Sequence, residues 1–341
     1  MKTQNQLSRY GAISRVIPKL APGAKVFLVG DSDDTTSGVV DLAAEFPVDN
    51  DGVVRVYTTI QAAVNAASAN RGDVVLVAPD YDHVIGRVDT WATAGVKVIG
   101  LGEGGDRPKL RYTTATDKID VAANDVTIEN LEFVGDVTQV VVGVELDTGF
   151  SGHVFRGNKF SFNATGEDFK TQLHVGSAHT LIEDNLFTTE DTAAAGGSAI
   201  SIDGGYPDYL TIRKNTFIGY WDTNGDTTNG SAALSIDVTH DSGSAADTVL
   251  VGLLVEDNKF VSLDTAASVV VNLAAGAVTV RGAVINNAFA AYDSAAADTA
   301  MLLFGTTGGA LALGNWLVDG DSDVSERLVG RAAKFIGIQD S

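Results

Sequence analysis

Ile182-Glu183-Asp184-Asn185-Leu186-Phe187 reads as an apolar residue, two variable ones, Asn, one variable residue and Phe, and the same six-residue pattern recurs along the chain. It returns as Phe155-Arg156-Gly157-Asn158-Lys159-Phe160, Ile212-Arg213-Lys214-Asn215-Thr216-Phe217, Val255-Glu256-Asp257-Asn258-Lys259-Phe260 and Val284-Ile285-Asn286-Asn287-Ala288-Phe289. Weaker copies flank these, Ile128-Glu129-Asn130-Leu131-Glu132-Phe133 upstream and Ala312-Leu313-Gly314-Asn315-Trp316-Leu317 downstream. The last position advances from Phe133 to Leu317 in steps of 27, 27, 30, 43, 29 and 28 residues. A fixed period of this length is the mark of a solenoid, and it outranks local propensity as a guide to the fold.

The residues before each Asn alternate apolar and polar, as in Val126-Thr127-Ile128 and Leu210-Thr211-Ile212, which is strand periodicity. A helix would need apolar residues three and four apart over several turns, and these segments end too soon. Each Asn is expected at a sharp turn, because Asn tolerates positive φ better than most side chains. Stacked coil on coil, Asn158, Asn185, Asn215, Asn258, Asn287 and Asn315 would form one file of amides. Phe133, Phe160, Phe187, Phe217, Phe260 and Phe289 would form a second file pointing inward. A step of 27 to 30 residues suits three short strands and three turns, so roughly nine coils at ~4.8 Å would make a rod about 40 Å long. The 43-residue step between Phe217 and Phe260 calls for an inserted loop, at 222–230 or 239–246.

From about residue 57 to 317 the chain resembles the right-handed parallel β-helix of the pectate-lyase-like superfamily, whose members carry a comparable Asn file at one tight turn. Tyr57 to Pro79 is similar to the opening segment of many members. Read from the residues, Thr58 and Gln61 form a capping box. Ile60, Ala63, Val64 and Ala67 share one helical face, Gly72 stops the helix, and Val74-Val75-Leu76-Val77 is a buried strand. A short amphipathic helix here would plug the open end of the solenoid. The expected organisation is a basic arm over 1–25, a β-rich adapter over 26–56 and a capping helix over 57–72. A parallel β-helix over 73–317 and a closing segment over 318–341 complete it.

The chain has 341 residues, with 23 basic and 44 acidic side chains and no cysteine. A net charge of −21 opposes nucleic-acid binding, which needs a basic footprint, and the lack of cysteine excludes disulfides and thiol chemistry. The first ten residues hold no apolar run, so no secretory signal is expected. The stretch from Thr299 to Val318 is free of ionisable residues yet rich in Gly, a poor membrane helix. Lys2, Arg9, Arg15, Lys19 and Lys25 give 1–25 a side-chain charge of +5, whereas 31–51 carries −7. Such an arm either solvates a tail or anchors the rod to an acidic neighbour, including the −7 segment of another subunit.

No catalytic residue stands out. The glycosidases of the resembled superfamily use three Asp with Gly-His-Gly and Arg-x-Lys motifs, which this chain lacks. Its Asp33-Asp34 precedes the solenoid, and Arg107-Pro108-Lys109-Leu110-Arg111 has the wrong spacing for the lyases. Two carboxylates ~5–9 Å apart would still suffice for glycoside hydrolysis. Asp319 to Asp323 and Asp222 to Asp226 resemble the opening of a calcium loop but lack its later ligands. His174 and His179 are the one suggestive pair of histidines, and turn or packing roles outweigh metal binding. Trp91, Trp221 and Trp316 form no evident sugar platform. Neither metal nor cofactor is expected. Val140–Val142, Val269–Val271 and 299–318 are apolar on both strand faces, which points to a covered outer face or a subunit interface. The resemblance implies a structural virion protein of a bacteriophage: a homotrimeric capsid decoration or tail component, attached through its arm to a capsid or tail protein. The alternative it implies is a tailspike-type protein that binds or cleaves a host surface polysaccharide. No membrane partner is expected.

Overall fold

The computed structural model describes residues 21–30, 55–189, 197–203, 207–221, 232–237, 249–263, 270–273, 279–291, 302–304 and 311–318. These residues form three sheets of eleven, nine and eight strands, each paired in parallel throughout. The chain visits the sheets in rotation. Lys97–Gly100, Lys109–Tyr112 and Lys118–Val121 make one coil, and Val154–Arg156, Lys159–Phe162 and Thr171–Val175 make another. Residue pairing between coils keeps the sequence period: Phe155 lies beside Ile182, and Ile182 beside Ile212. The fold is a parallel β-helix, with the right-handed sense that parallel crossovers favour. None of the helices among the described residues is long and apolar enough to cross a membrane.

The interior is one continuous apolar column running from Phe27 to Ala312. Alternation along each strand builds it. In Lys109–Tyr112, Leu110 and Tyr112 point in and are fully buried, whereas Lys109 and Arg111 point out. A smaller apolar cluster of Val26, Leu28, Val74, Leu76, Ile99 and Leu101 lies on the other face of the first sheet, so the strands at this end are buried on both sides.

Several boundaries differ from the sequence expectation. Val26–Val29 and Val56, expected in a separate adapter, and Tyr57, expected to open the capping helix, lie in strands of the first sheet, in the order Val56–Tyr57, Val26–Val29, Val74–Val77. The run Val26 to Val29 pairs residue for residue with the equally apolar Val74 to Val77, and burying both is more favourable than holding them apart. The helix α1 spans only Ile60–Ala66, capped by Thr59 rather than Thr58: the Thr59 hydroxyl accepts the Ala62 N–H at 3.2 Å. Ile60, Ala63 and Val64 are buried as expected, and Ala67 packs against the column. Gly72, at φ +77°, turns the chain after the helix has already ended. Val140–Val142 is a connection rather than a strand, with Val140 buried and Val141 exposed. The proposed insertion sites at 222–230 and 239–246, most of the arm, and the closing segment beyond 318 lie outside the described residues.

Candidate functional site

The six Asn form a single file. The Asn158 Nδ2 donates to the Ile128 carbonyl at 2.9 Å, and its oxygen accepts the Leu131 N–H at 2.9 Å. Asn185 repeats this on the Phe155 carbonyl and the Asn158 N–H, at 2.9 and 2.8 Å. The same two bonds recur for Asn215, Asn258, Asn287 and Asn315. Each side chain thus satisfies two buried backbone groups of the coil before it, groups that a corner would otherwise leave unpaired. The six Phe also stack, with ring centroids 4.6 to 5.5 Å apart from Phe133 to Phe289.

The positive φ does not fall on these Asn. It falls on the residue before: Asn130, Gly157, Asp184, Lys214, Asp257, Asn286 and Gly314, with φ of 55° to 65°. Most are Gly, Asn or Asp, the types that bear the left-handed conformation at least cost. The ladder Asn is retained for its amide, not for its backbone. A second file of left-handed residues marks the turn from the third sheet to the first: Gly95, Asp125, Gly152, His179 and Tyr209. His179 belongs to this file and stacks on Tyr209 at 4.9 Å, while His174 is buried on the third sheet. The two therefore do not form a metal pair. No group of three or more His, Asp or Glu among the described residues could hold a metal.

Outward charges alternate in sign from coil to coil. On the first sheet Glu129, Arg156, Glu183, Arg213 and Glu256 lie in register. Glu183 is held by Arg156 at 3.0 Å and Arg213 at 2.7 Å. Burial opposes its ionisation, but the two guanidinium groups prevail and keep its carboxyl below the ordinary value. On the second sheet Asp82, Lys109, Glu132 and Lys159 alternate in the same way, with Arg111 clamping Asp82 through two hydrogen bonds. Stacked like charges on neighbouring coils would repel, so alternation converts the pleat into attraction.

Two places on the outer surface depart from this pairing. The first is a cleft of about 400 Å³ beside the ladder turn, lined by Gly104, Gly105, Arg107, Lys109, Glu132 and Lys159, among others. The buried Glu132 accepts hydrogen bonds from Lys159 and Ser161 at 2.6 and 2.7 Å. Burial depresses the Arg107 pKa, only partly offset by Glu132, and the buried Arg107 Nε has no hydrogen-bond partner among the described residues. The second is the outer face of the third sheet, where Asp120, Glu145, His174 and Ser201 follow one another in register. Burial raises the Asp120 pKa, and the neighbouring Glu145 and Asp147 reinforce this against Lys118. Lys118 pairs with Glu145, and the His174 Nδ1 lies 3.9 Å from the other Glu145 oxygen. Glu145, His174 and Ser201 are each more than nine-tenths buried, so the His–Ser end of this row is closed to any substrate. Sequence reading met Arg107 to Arg111 only as a mis-spaced motif and His174 only as half of a weak histidine pair, because the surroundings of both depend on which coils become neighbours. Of the three tryptophans, Trp91 and Trp221 are buried and Trp316 is exposed.

No family model matches the sequence, and no curated protein matches it. Some solved structures are similar at low identity. The chain is similar to a mutant tailspike protein of E. coli bacteriophage HK620 in complex with a pentasaccharide, at 10% identity and a TM-score of 0.49. That alignment covers 85% of this chain but 55% of the tailspike chain, about half its length. It is also similar to the deglycosylated pectin methylesterase of Aspergillus niger, at 12% identity, 93% coverage of both chains and a TM-score of 0.43. At such identities the likeness describes architecture and leaves activity open.

Proposed function

We propose that this β-helix is a structural component of a bacteriophage particle, a homotrimeric rod attached to the capsid surface or tail through its basic N-terminal arm. The observation that carries the reading is the junction between arm and rod. The Lys25 backbone N–H donates to the Asp73 carboxylate at 2.8 Å, and the Val74 N–H donates to the Lys25 carbonyl at 2.9 Å. Asp73 is fully buried, and Arg71 and the Ser68 N–H also bind it. Burial alone would raise its pKa, but these donors outweigh it and keep the carboxylate charged. Lys25, the last residue of the arm, is thus fastened at the helix-plugged end of the rod, which suits a tether that transmits load. The alternating charge rows support the same role, since they spend outward charge on holding coils together. Copy number in purified particles tests the reading. Hundreds of copies would mean decoration, a few a tail component, and none would refute it. Removing residues 1–24 should leave the rod folded and monitored attachment lost.

A second reading, a polysaccharide depolymerase, is favoured by Asp120 beside Glu145 on the third sheet. Burial and the adjacent Glu145 raise the pKa of the half-buried Asp120, the direction a general acid needs, while Glu145 itself is buried and paired with Lys118. Host-glycan cleavage that disappears in Asp120→Asn would establish it. Absence of cleavage on any host glycan would retire it.

A further inference from the structure

We propose that the cleft beside the ladder turn binds a small oxyanion, a carboxylate or phosphate group carried by a ligand of about monosaccharide size. The argument starts from charge. In a protein of net charge −21, three cations converge on one recess: Arg107, Lys109 and Lys159. The Glu132 carboxylate within it takes Lys159 and Ser161 on one oxygen and also acts on Arg107 and Lys109, so three cations face one buried carboxylate, and the other acid on the wall, Asp184, is exposed. Arg107 and Lys109 form no ion pair within 4 Å among the described residues, whereas Arg111, Arg156, Arg213, Lys118 and Lys159 all do. Lys97, Lys259 and Arg281 are likewise outside any such pair among the described residues, but Arg107 and Lys109 share one recess.

A buried guanidinium N–H without a partner is a cost that folding alone does not recover, and a bound acceptor would recover it. Arg offers a planar fork to an oxyanion, and Lys109 adds a point charge beside it. Size also fits. A recess of about 400 Å³ lies within the range of small-molecule sites. Gly105 lines the recess, and a Cβ built there would meet nothing within 4 Å, so a larger side chain fits without a clash. The proposal does not depend on the virion reading, because a particle protein and an enzyme could each carry such a site.

Calorimetric titration of the full chain with inorganic phosphate and, separately, with glucuronate tests it at low salt. At least one should bind saturably, and affinity should fall as ionic strength rises. Saturation by phosphate alone identifies a phosphoryl group, and saturation by glucuronate alone identifies a sugar carboxylate. Arg107→Gln and Lys109→Gln should each weaken binding about tenfold, while Lys97→Gln, on the first sheet, should leave it unchanged. Gly105→Leu places bulk in the recess without touching the charges, so it should block binding even if Arg107→Gln disturbs the loop. No saturable binding of either probe would overturn the proposal, as would undiminished binding in the Arg107 and Lys109 double variant.

Discussion

The side-chain oxygen of Asn258 accepts the backbone N–H of Asn215 at 2.9 Å, across 43 residues of sequence. This is the longest step in the repeat, yet the bond has the same length as the one between Asn158 and Leu131, 27 residues apart. The ladder thus fixes register independently of what is inserted between its rungs. Asn258 also donates to the Ile212 carbonyl at 2.9 Å, and both Asn are buried. Asn258→Ala would leave one buried N–H and one buried carbonyl unsatisfied, at about 1–3 kcal/mol each. Denaturant unfolding should show a loss of ~2–5 kcal/mol. A loss no larger than that of an exposed Asn→Ala control would refute the ladder's energetic role.

Lys214 stands out among the turn residues because it holds φ at 55° with a long side chain, where the equivalent positions are Gly, Asn or Asp. A left-handed conformation costs an ordinary L-residue about 1–2 kcal/mol, and Asn relieves part of that. Lys214 is exposed, and its ammonium is 3.8 Å from Glu183, which two arginines already hold. Lys214→Asn should therefore stabilise the protein by ~0.5–1 kcal/mol. An unchanged or lowered unfolding midpoint would show that the ammonium contact outweighs the backbone strain.

The coil architecture was legible in the chain because a solenoid writes its period directly into the sequence. The Asn at 158, 185, 215, 258, 287 and 315 and the Phe from 133 to 289 meet their counterparts through simple stacking. What escaped was information carried between coils. Asn130 donates to the Gly100 and Gly102 carbonyls from one position before the ladder, filling a place where Leu131 has no amide. Nothing local distinguishes that Asn from a surface residue. Likewise Val26 to Val29 reads as an apolar strand whether it joins the rod or an adapter, and only its partner Val74 to Val77 decides. The Arg107 cleft is assembled from residues on or just before four successive second-sheet strands, so no contiguous motif encodes it.

Phe217 lies between Phe187 at 4.9 Å and Phe260 at 4.6 Å, with near-parallel rings on both sides. Phe217→Leu keeps the site apolar but removes two stacked contacts, each worth about 0.5–1.5 kcal/mol beyond burial. Phe217→Ala adds a cavity and should cost ~3–5 kcal/mol. Unfolding midpoints should therefore rank wild type, Leu, Ala. Equal losses for the two variants would mean that stacking adds nothing to the filling of volume.

His153 gives the fold a pH dependence of definite sign. It is buried, and desolvation lowers its pKa from 6.5 to about 4, against a smaller opposing pull from the Val126 backbone and Asp125. The folded state therefore prefers the neutral imidazole, whereas the unfolded chain takes up a proton near pH 6.5. The resulting stability is complete above pH 6.5 and is lost progressively as pH falls towards 4, by about 3 kcal/mol in total. Most carboxylates titrate below pH 5, so the interval from 6.5 to 5 isolates the histidine contribution. Stability should decline by ~2 kcal/mol across it in the wild type, and the decline should flatten in His153→Gln. A parallel slope in the two proteins would assign the pH dependence to other groups.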